Sequence, residues 1–280
     1  MIHVNPYTRK ARSGARVLLF LASCVCTLAL MADGVYGADA PDAAPDSPEA
    51  GAKADKTGTN PLNFQKTISL KNEYNDLGGV YANFTRFVYA YPLLSNLKLS
   101  AEIPWLASDA SGSDEFGLSD IVGKSSWIPH ATRTMGVALG ADLAAPTASD
   151  EVLGTEMWVL APSLTAAFFL PNNAVFAPAY KHAFNCTDDD GRADINAGTL
   201  DFYLVKKFDR NRQWLTFDPT FLFDYESDRY ESATVRVNYG RVLAKVGDGV
   251  LSGFIKPGVG IGTDRPSDWS FEIGTSLIGF

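Results

Sequence analysis

The sequence has few cysteines, and apart from its N-terminus it has no long apolar run. Of the three cysteines, Cys24 and Cys26 lie in a segment with the features of a cleaved export signal. Cys186 then has no partner for an internal disulfide bond. The composition therefore excludes a disulfide-stapled fold, and the missing apolar runs exclude a bundle of membrane-spanning helices after the N-terminal segment.

Histidines are also scarce: there are only three in 280 residues. His3 belongs to the export signal, His130 falls in a predicted tight turn, and His182 lies near a predicted strand end. None of them stands in a context that suggests a nucleophile, an orienting acid or a metal-ligand spacing. We therefore predict no catalytic residues, no metal site and no cofactor. The run Asp188 to Asp190 offers hard oxygen ligands, but an exposed acidic loop explains it more simply.

Basic residues are outnumbered, with 24 Lys and Arg against 32 Asp and Glu and a formal net charge of −8. Removal of the N-terminal segment makes the chain more acidic still, because that segment holds four basic residues and one acid. Proteins that bind nucleic acid neutralise phosphates with a basic surface, which this chain lacks. Nucleic acid is therefore excluded as a partner.

Residues 1–37 have the three parts of a secretory signal. A basic opening leads into the apolar run Val17 to Met31, and small residues follow, which places cleavage before Ala38. Lipid attachment at Cys24 and a retained anchor are the alternatives, although the run is shorter than the roughly 20 residues of a spanning helix. Residues 38–60 are rich in Ala, Pro and Asp and lack aromatics, which predicts a disordered leader.

From residue 61 onward, apolar side chains recur at every second position, as in strands with two different faces. In Asn96 to Trp105, for example, Leu97 and Leu99 alternate with Lys98 and Ser100. About twelve such segments occur, within a range of ten to fourteen. They lie near 63–72, 79–91, 96–106, 117–128, 132–144, 156–169, 174–184, 194–207, 213–225, 230–245, 250–262 and 268–280.

The connections between these segments alternate between short and long, which a soluble sandwich does not require. Every second connection is tight, and the others are mostly longer and acidic. Outer-membrane barrels have tight turns at the periplasmic rim and larger loops outside. The sequence therefore predicts an all-β fold, a closed antiparallel transmembrane β-barrel formed by residues 61–280.

The last segment ends on Phe280. In lipid every backbone polar group must find a partner within the protein, so the last strand must pair with the first. We expect this strand to be recognised through Phe280 by the outer-membrane insertion machinery. Lipid and lipopolysaccharide are the expected partners of the outer face.

Four stretches resemble the outer-membrane barrel family named for the MetA pathway of phenol degradation. These stretches are Phe116 to Ile121, Ala141 to Leu164, Asp201 to Asp218 and the terminal strand. The sequence departs from the family pattern where Ser119, Ala148 and Glu156 replace glycines, which puts loop conformation in doubt. The resemblance implies passage of small hydrophobic or aromatic molecules across the outer membrane.

Charged side chains on the lipid face cost about 2–4 kcal/mol at the midplane, so they are expected inside the barrel. The predicted lumen-lining residues are Lys98, Glu102, Asp120, Lys124, Asp142, Asp218, Arg236, Lys256 and Glu272. Both signs of charge are present, and they either line a conducting lumen or only pair across it. Lys66 and Arg86 fit this assignment poorly.

Tryptophans fall at or near the ends of predicted strands, where outer-membrane barrels carry aromatic girdles. The predicted girdle residues are Trp105, Trp127, Trp158, Trp214 and Trp269, with core packing as the alternative. The sequence as a whole predicts an exported outer-membrane channel for passive uptake of small solutes. A structural or surface-interaction barrel is the second hypothesis, and an outer-membrane hydrolase using His182 or His130 is the third.

Overall fold

The computed structural model describes residues 57–187, 192–210 and 212–280. The predicted signal 1–37 and leader residues 38–56 lie outside these ranges, as does the run Asp188 to Asp190. The described part contains thirteen strand segments. They are β1 (Thr67–Asp76), β2 (Tyr81–Leu94), β3 (Leu97–Ser108), β4 (Glu115–Leu118), β5 (Val122–Ala131), β6 (Met135–Ala144), β7 (Val159–Leu170), β8 (Ala174–Asn185), β9 (Asn196–Phe208), β10 (Gln213–Asp224), β11 (Arg229–Val246), β12 (Gly249–Ile261) and β13 (Trp269–Ile278).

The segments form one closed antiparallel barrel of twelve strands. β5 pairs with the first half of β3, and β4 pairs with its second half. The two segments therefore occupy a single strand position, which is interrupted at residues 119–121. The ring closes where β1 pairs with β13, with Thr67 opposite Ile278 and Asp76 opposite Trp269. The predicted fold, strand number and closure are confirmed.

The described ranges contain no helix of the length and apolarity that crossing a membrane requires.

The turns at the two rims differ, as the sequence indicates. At one rim, hereafter the short-turn rim, β7 and β8 are joined through Asn172 and Asn173, whose φ values are 61° and 58°. Leu170 pairs with Ala174, so residues 171–173 form a short hairpin connection, and asparagine is among the residues that adopt positive φ most readily. The opposite rim, hereafter the long-loop rim, carries the longest described connection, residues 145–158. In outer-membrane barrels the short-turn rim faces the periplasm.

Strand alternation separates an apolar outer face from an inner face of small and polar side chains. Along β6, Leu139 and Leu143 point outward and are each 41% exposed, whereas Ala138 and Asp142 point inward and are buried. Leu164 and Phe217 are among the other half-exposed outer residues. An outer face of this composition suits contact with lipid chains.

The N-terminal boundary of the folded part differs from the prediction. Thr57 to Asn60 were expected to belong to the disordered leader, but Thr57 and Thr59 are buried, only 5% and 4% exposed. Residues 57–64, hereafter the plug segment, lie inside the barrel at the short-turn rim and are not one of its strands. They are ordered because the inner wall gives Leu62 and Phe64 an apolar surface to cover.

Candidate functional site

The barrel interior is the candidate site, because it collects most of the charged side chains that the strands carry. The predicted lumen residues of the strands lie on the inner face, and Asp120 lies inside the long-loop rim. The residues of this set that border the central cavity are Lys98, Lys124, Asp142, Asp218, Lys256 and Glu272. Glu102 and Arg236 are also buried inside, at 0% and 5% exposure.

Arg86 is the centre of a buried ion-pair network. Its guanidinium Nη1 lies 2.8 Å from Glu73 Oε2, and its Nε lies 3.5 Å from Glu102 Oε1. Lys124 Nζ contacts Glu102 Oε2 at 2.7 Å, and Arg236 Nη2 contacts Glu73 Oε1 at 3.2 Å. Arg86, which fitted the inward assignment poorly in the sequence, is therefore fully inside, and its network joins charges on five strands.

Two further groups of paired charges lie on the inner face, one on β6 and β8 and the other on β10, β12 and β13. Lys181 Nζ donates to Asp142 Oδ2 at 2.6 Å. Lys256 Nζ lies 3.7 Å from Asp218 Oδ2 and 3.8 Å from Glu272 Oε2. The interior charges therefore pair with one another, as one of the two sequence alternatives requires, while several of them also border the cavity.

Hydroxyl groups complete the polar lining between these charges. The Oγ1 atoms of Thr165, Thr199, Thr216 and Thr234 are buried on the inner wall without a hydrogen-bond partner in the described protein. We call this zone of interior charges and hydroxyls the polar belt. The central cavity beside it has a volume of about 190 Å³. At roughly 30 Å³ per water, a space of this size holds about six water molecules.

The connection 145–158, hereafter the mouth loop, folds into the long-loop rim and is held there by Asp120. Asp120 Oδ2 accepts hydrogen bonds from the N–H and the Oγ1 of Thr155, at 2.7 and 2.8 Å. Its Oδ1 accepts from the N–H groups of Thr147 and Ala148, at 3.1 and 3.2 Å. Asp120 therefore fixes the loop backbone rather than bordering the cavity, which spacing alone did not indicate.

The mouth loop is also packed against apolar inner-wall residues. Leu153 is 2% exposed and joins a cluster with Phe84 and Leu106. Glu156 has φ 60°, a conformation that glycine adopts without strain. Its carboxylate pairs with Arg192 at 2.6 Å. The loop thus narrows the long-loop rim.

The plug segment narrows the short-turn rim. Leu62 is completely buried and Phe64 is 9% exposed, and both pack on one apolar area of the inner wall. We call this area the seat; its wall consists of Ile128, Ala138, Ala167, Val175, Ala177, Val205 and Trp214. The backbone carbonyl of Thr59 accepts a hydrogen bond from Tyr203 Oη at 3.3 Å. The interior is therefore polar at its middle and filled by the chain itself at both rims.

The predicted girdle includes one wrong residue. Trp127, Trp158 and Trp269 are 46%, 42% and 47% exposed on the outer face near strand ends, and alternation also points Trp105 outward. Trp214 instead points inward and is 4% exposed. Its indole lies flat on Gly240 of β11, where an added Cβ would come within 2.1 Å of the ring.

The two described histidines lie away from the interior. His182 is on the outer face of β8, with Nδ1 3.2 Å from Tyr180 Oη and aromatic rings around it. His130 is exposed near the short-turn rim. In residues 57–187, 192–210 and 212–280, no group of three His, Cys, Asp or Glu side chains is arranged to hold a metal ion.

Several interior residues were not predicted from the sequence. Lys71, Glu73, Lys181 and Asp201 point inward, although only neighbouring strands had been assigned a charged inner face. Alternation along β8 could have identified Lys181 as an inward residue. It shares its parity with small side chains, whereas the bulky aromatic side chains occupy the outward parity. The small residues are Val175, Ala177, Ala179 and Ala183, and the aromatic ones are Phe176, Tyr180 and Phe184. Lys66, which also fitted the inward assignment poorly, lies at the short-turn rim with Nζ 4.3 Å from the centre of the Phe280 ring.

Solved structures of bacterial outer-membrane channels are similar to this barrel. The COG4313 outer membrane channel from Pseudomonas putida F1 has a TM-score of 0.60 and 14% identity, over 78% of this chain and 96% of that one. The KdgM porin in complex with disordered oligogalacturonate has a TM-score of 0.56 and 12% identity, over 75% and 98% of the chains. The NanC porin has a TM-score of 0.55 and 11% identity, over 75% and 98%. At these identities the likeness establishes the fold. No protein-family profile matches the sequence, and no curated protein does.

Proposed function

We propose that the protein is an outer-membrane channel for the passive passage of small solutes. The observation that carries this proposal is the polar belt, which places charges of both signs and threonine hydroxyls around a cavity inside a closed barrel. A barrel with a purely structural role gains little from a hydrated interior, since an apolar core would serve it equally well. The likeness to solved channels supports the same conclusion.

The proposed solutes combine an apolar or aromatic part with a polar group. The apolar part is what the resemblance to the phenol-pathway barrel family implies. The polar group follows from the belt, because a purely apolar solute would leave Thr216 and its neighbours without hydrogen bonds as it displaced water. Charges of both signs in the belt argue for weak selection between anions and cations.

In this proposal the outer face contacts lipid and lipopolysaccharide, and the short-turn rim faces the periplasm. Export by a cleaved signal and recognition of Phe280 by the insertion machinery remain predictions. Heat-modifiable gel mobility of membrane-extracted protein tests the location. A folded outer-membrane barrel migrates differently before and after boiling.

A structural or surface-interaction barrel is the second candidate, because one observation favours it. The interior charges pair with one another, and the plug segment and the mouth loop fill both rims. A hydrolase gains no support, since His182 lies on the outer face with Tyr180 as its hydrogen-bond partner.

Conductance in planar lipid bilayers distinguishes these candidates. Purified, refolded protein is expected to give stepwise currents with a K⁺ to Cl⁻ permeability ratio near one, because both charge signs line the belt. Boiled protein from the same preparation is the control. Silent bilayers over a range of voltages, together with unchanged solute uptake in a deletion strain, would leave the structural barrel as the better explanation.

A further inference from the structure

We propose that the seat is a binding site for the apolar or aromatic part of a solute, and that the plug segment occupies this site when no solute is bound. The proposal rests on the proposed channel function and identifies where in the barrel the solute is recognised. Leu62 and Phe64 act as an internal competitor. Solute binding and displacement of the plug segment then become the same event.

The inner wall under the plug segment has the composition of a ligand pocket rather than of a polar pore. On the inner faces of β5 to β10 most wall positions near the short-turn rim are apolar, with Lys207 of β9 as a charged exception. The same strands carry Asp142, Thr165 and Asp201 further along. Ligand pockets are mostly apolar, with a few polar groups that fix orientation. Here those polar groups are supplied by the adjoining belt.

Small wall residues create the space that Leu62 fills. Gly136 of β6 lies under its side chain, and a Cβ added at Gly136 would come within 2.3 Å of Leu62 Cδ1. Ala167 of β7 is the direct cross-strand neighbour of Gly136 and is completely buried. A depression lined by glycine and alanine accepts a branched or aromatic group from the plug segment, and by the same geometry from a solute.

The position of Phe64 shows which groups the seat accommodates. Its ring is 9% exposed within the apolar cluster, and Lys98 Nζ lies 5.3 Å from the ring centre. A cation at this distance attracts the face of an aromatic ring. A solute ring in the same place would meet the same ammonium group, and a carboxylate on that ring would strengthen the contact.

The seat and the central cavity are continuous. Tyr203 and Trp214 belong to the apolar cluster and also border the cavity, together with Thr57 and Thr59 of the plug segment. A solute that reaches the cavity therefore meets Thr57 and Thr59 of the plug segment, and it contacts Tyr203 and Trp214, against which Leu62 and Phe64 pack. When it takes their place, the plug segment leaves the wall and the short-turn rim widens.

Trp214 provides the readout, because its indole is part of the seat wall. Full-length mature protein is titrated with benzoate while tryptophan fluorescence is recorded. The same titration of Trp214→Phe gives the signal of the other tryptophans, and the difference between the two is the signal of Trp214. Acetate is the matched anion without a ring. The double variant Leu62→Ala/Phe64→Ala removes the competitor and is expected to bind benzoate about 10-fold more tightly or better. Gln65→Ala is the control in the same stretch of chain and should bind as the wild type does.

Two wall variants keep the test independent of changes in the plug segment. Gly136→Ala crowds Leu62 and should tighten benzoate binding by a smaller factor. Ala167→Leu fills the seat from the wall and should abolish benzoate binding while it increases channel conductance, because the plug segment loses its place. Unchanged heat-modifiable mobility verifies that each variant is folded.

Equal benzoate affinity in the wild type, the double variant and Ala167→Leu would overturn the seat as a binding site. Equal affinity for acetate and benzoate would do the same. These outcomes leave the channel function intact if the variants still conduct. If no variant conducts but benzoate binds as expected, the channel function fails and the seat stands.

Discussion

Replacement of Arg86 by methionine should destabilise the barrel strongly. Arg86 is completely buried and lies between the carboxylates of Glu73 and Glu102, at 2.8 and 3.5 Å. Removing one partner of a buried ion pair typically costs 3–5 kcal/mol, because the remaining charge stays buried without compensation. Glu73 keeps Arg236 and Glu102 keeps Lys124, so the expected loss is about 3 kcal/mol, at the lower end of that range.

The assay is urea-induced unfolding of the protein in lipid vesicles, followed by gel mobility without boiling and by tryptophan fluorescence. Arg265→Met is the matched control, since Arg265 pairs with Asp268 at 2.6 Å while both side chains are more than 40% exposed. An exposed pair of this kind contributes about 0–1 kcal/mol. The control should therefore unfold at nearly the wild-type urea concentration.

A second variant separates charge from lost packing. In Arg86→Met/Glu102→Gln one of the two carboxylates that lose Arg86 is replaced by a neutral amide, while Lys124 can turn toward the cavity that it borders. Part of the lost stability should return. An unfolding free energy for Arg86→Met within about 1 kcal/mol of the wild type would refute the argument that this network stabilises the interior. The argument would also be refuted if the double variant had a lower unfolding free energy than Arg86→Met by the full cost of breaking another buried ion pair.

Three other outcomes follow from single contacts. Asp120→Ala removes the acceptor of the mouth-loop N–H groups. Limited proteolysis should therefore cut this loop in the variant and not in the wild type. Equal resistance of the two proteins to the protease would contradict the anchoring role of Asp120. Gly240→Ala forces the Trp214 indole to move and should destabilise the barrel by about 1–3 kcal/mol with a shifted fluorescence maximum. Gly123→Ala is its control, because a Cβ there meets nothing nearer than 4.0 Å. Cys186 is exposed at the long-loop rim, so a membrane-impermeant maleimide should label it on intact cells; labelling only after permeabilisation would invert the proposed orientation.

The fold can be predicted from local sequence, because each strand carries the two-residue alternation that a wall between lipid and an aqueous interior imposes. Most strand limits, the alternation of turn lengths and the inward direction of Asp142 or Lys256 follow from this rule. The first predicted segment, 63–72, is instead found at Thr67–Asp76, and segment 117–128 is interrupted at 119–121. Even the position of Trp214 could have been read from this rule. Trp214 shares the parity of Thr216 and Asp218, which indicates an inward side chain. Its place near a strand end is the feature that suggested a girdle residue.

The identity of the interior groups that meet, and of the segments that fill the lumen, depends on the closed barrel. Arg236 pairs with Glu73 across 163 residues of sequence, a partnership that arises from barrel closure and has no trace in local spacing. The plug segment is short, with Leu62 and Phe64 as its large apolar side chains, and it is ordered because six strands together form the seat beneath Leu62. Asp120 likewise holds the mouth loop because an interrupted strand turns its carboxylate toward the backbone of residues 147–155. Alternation is a local property of each strand, whereas these contacts depend on side chains that are neighbours only after the ring has closed.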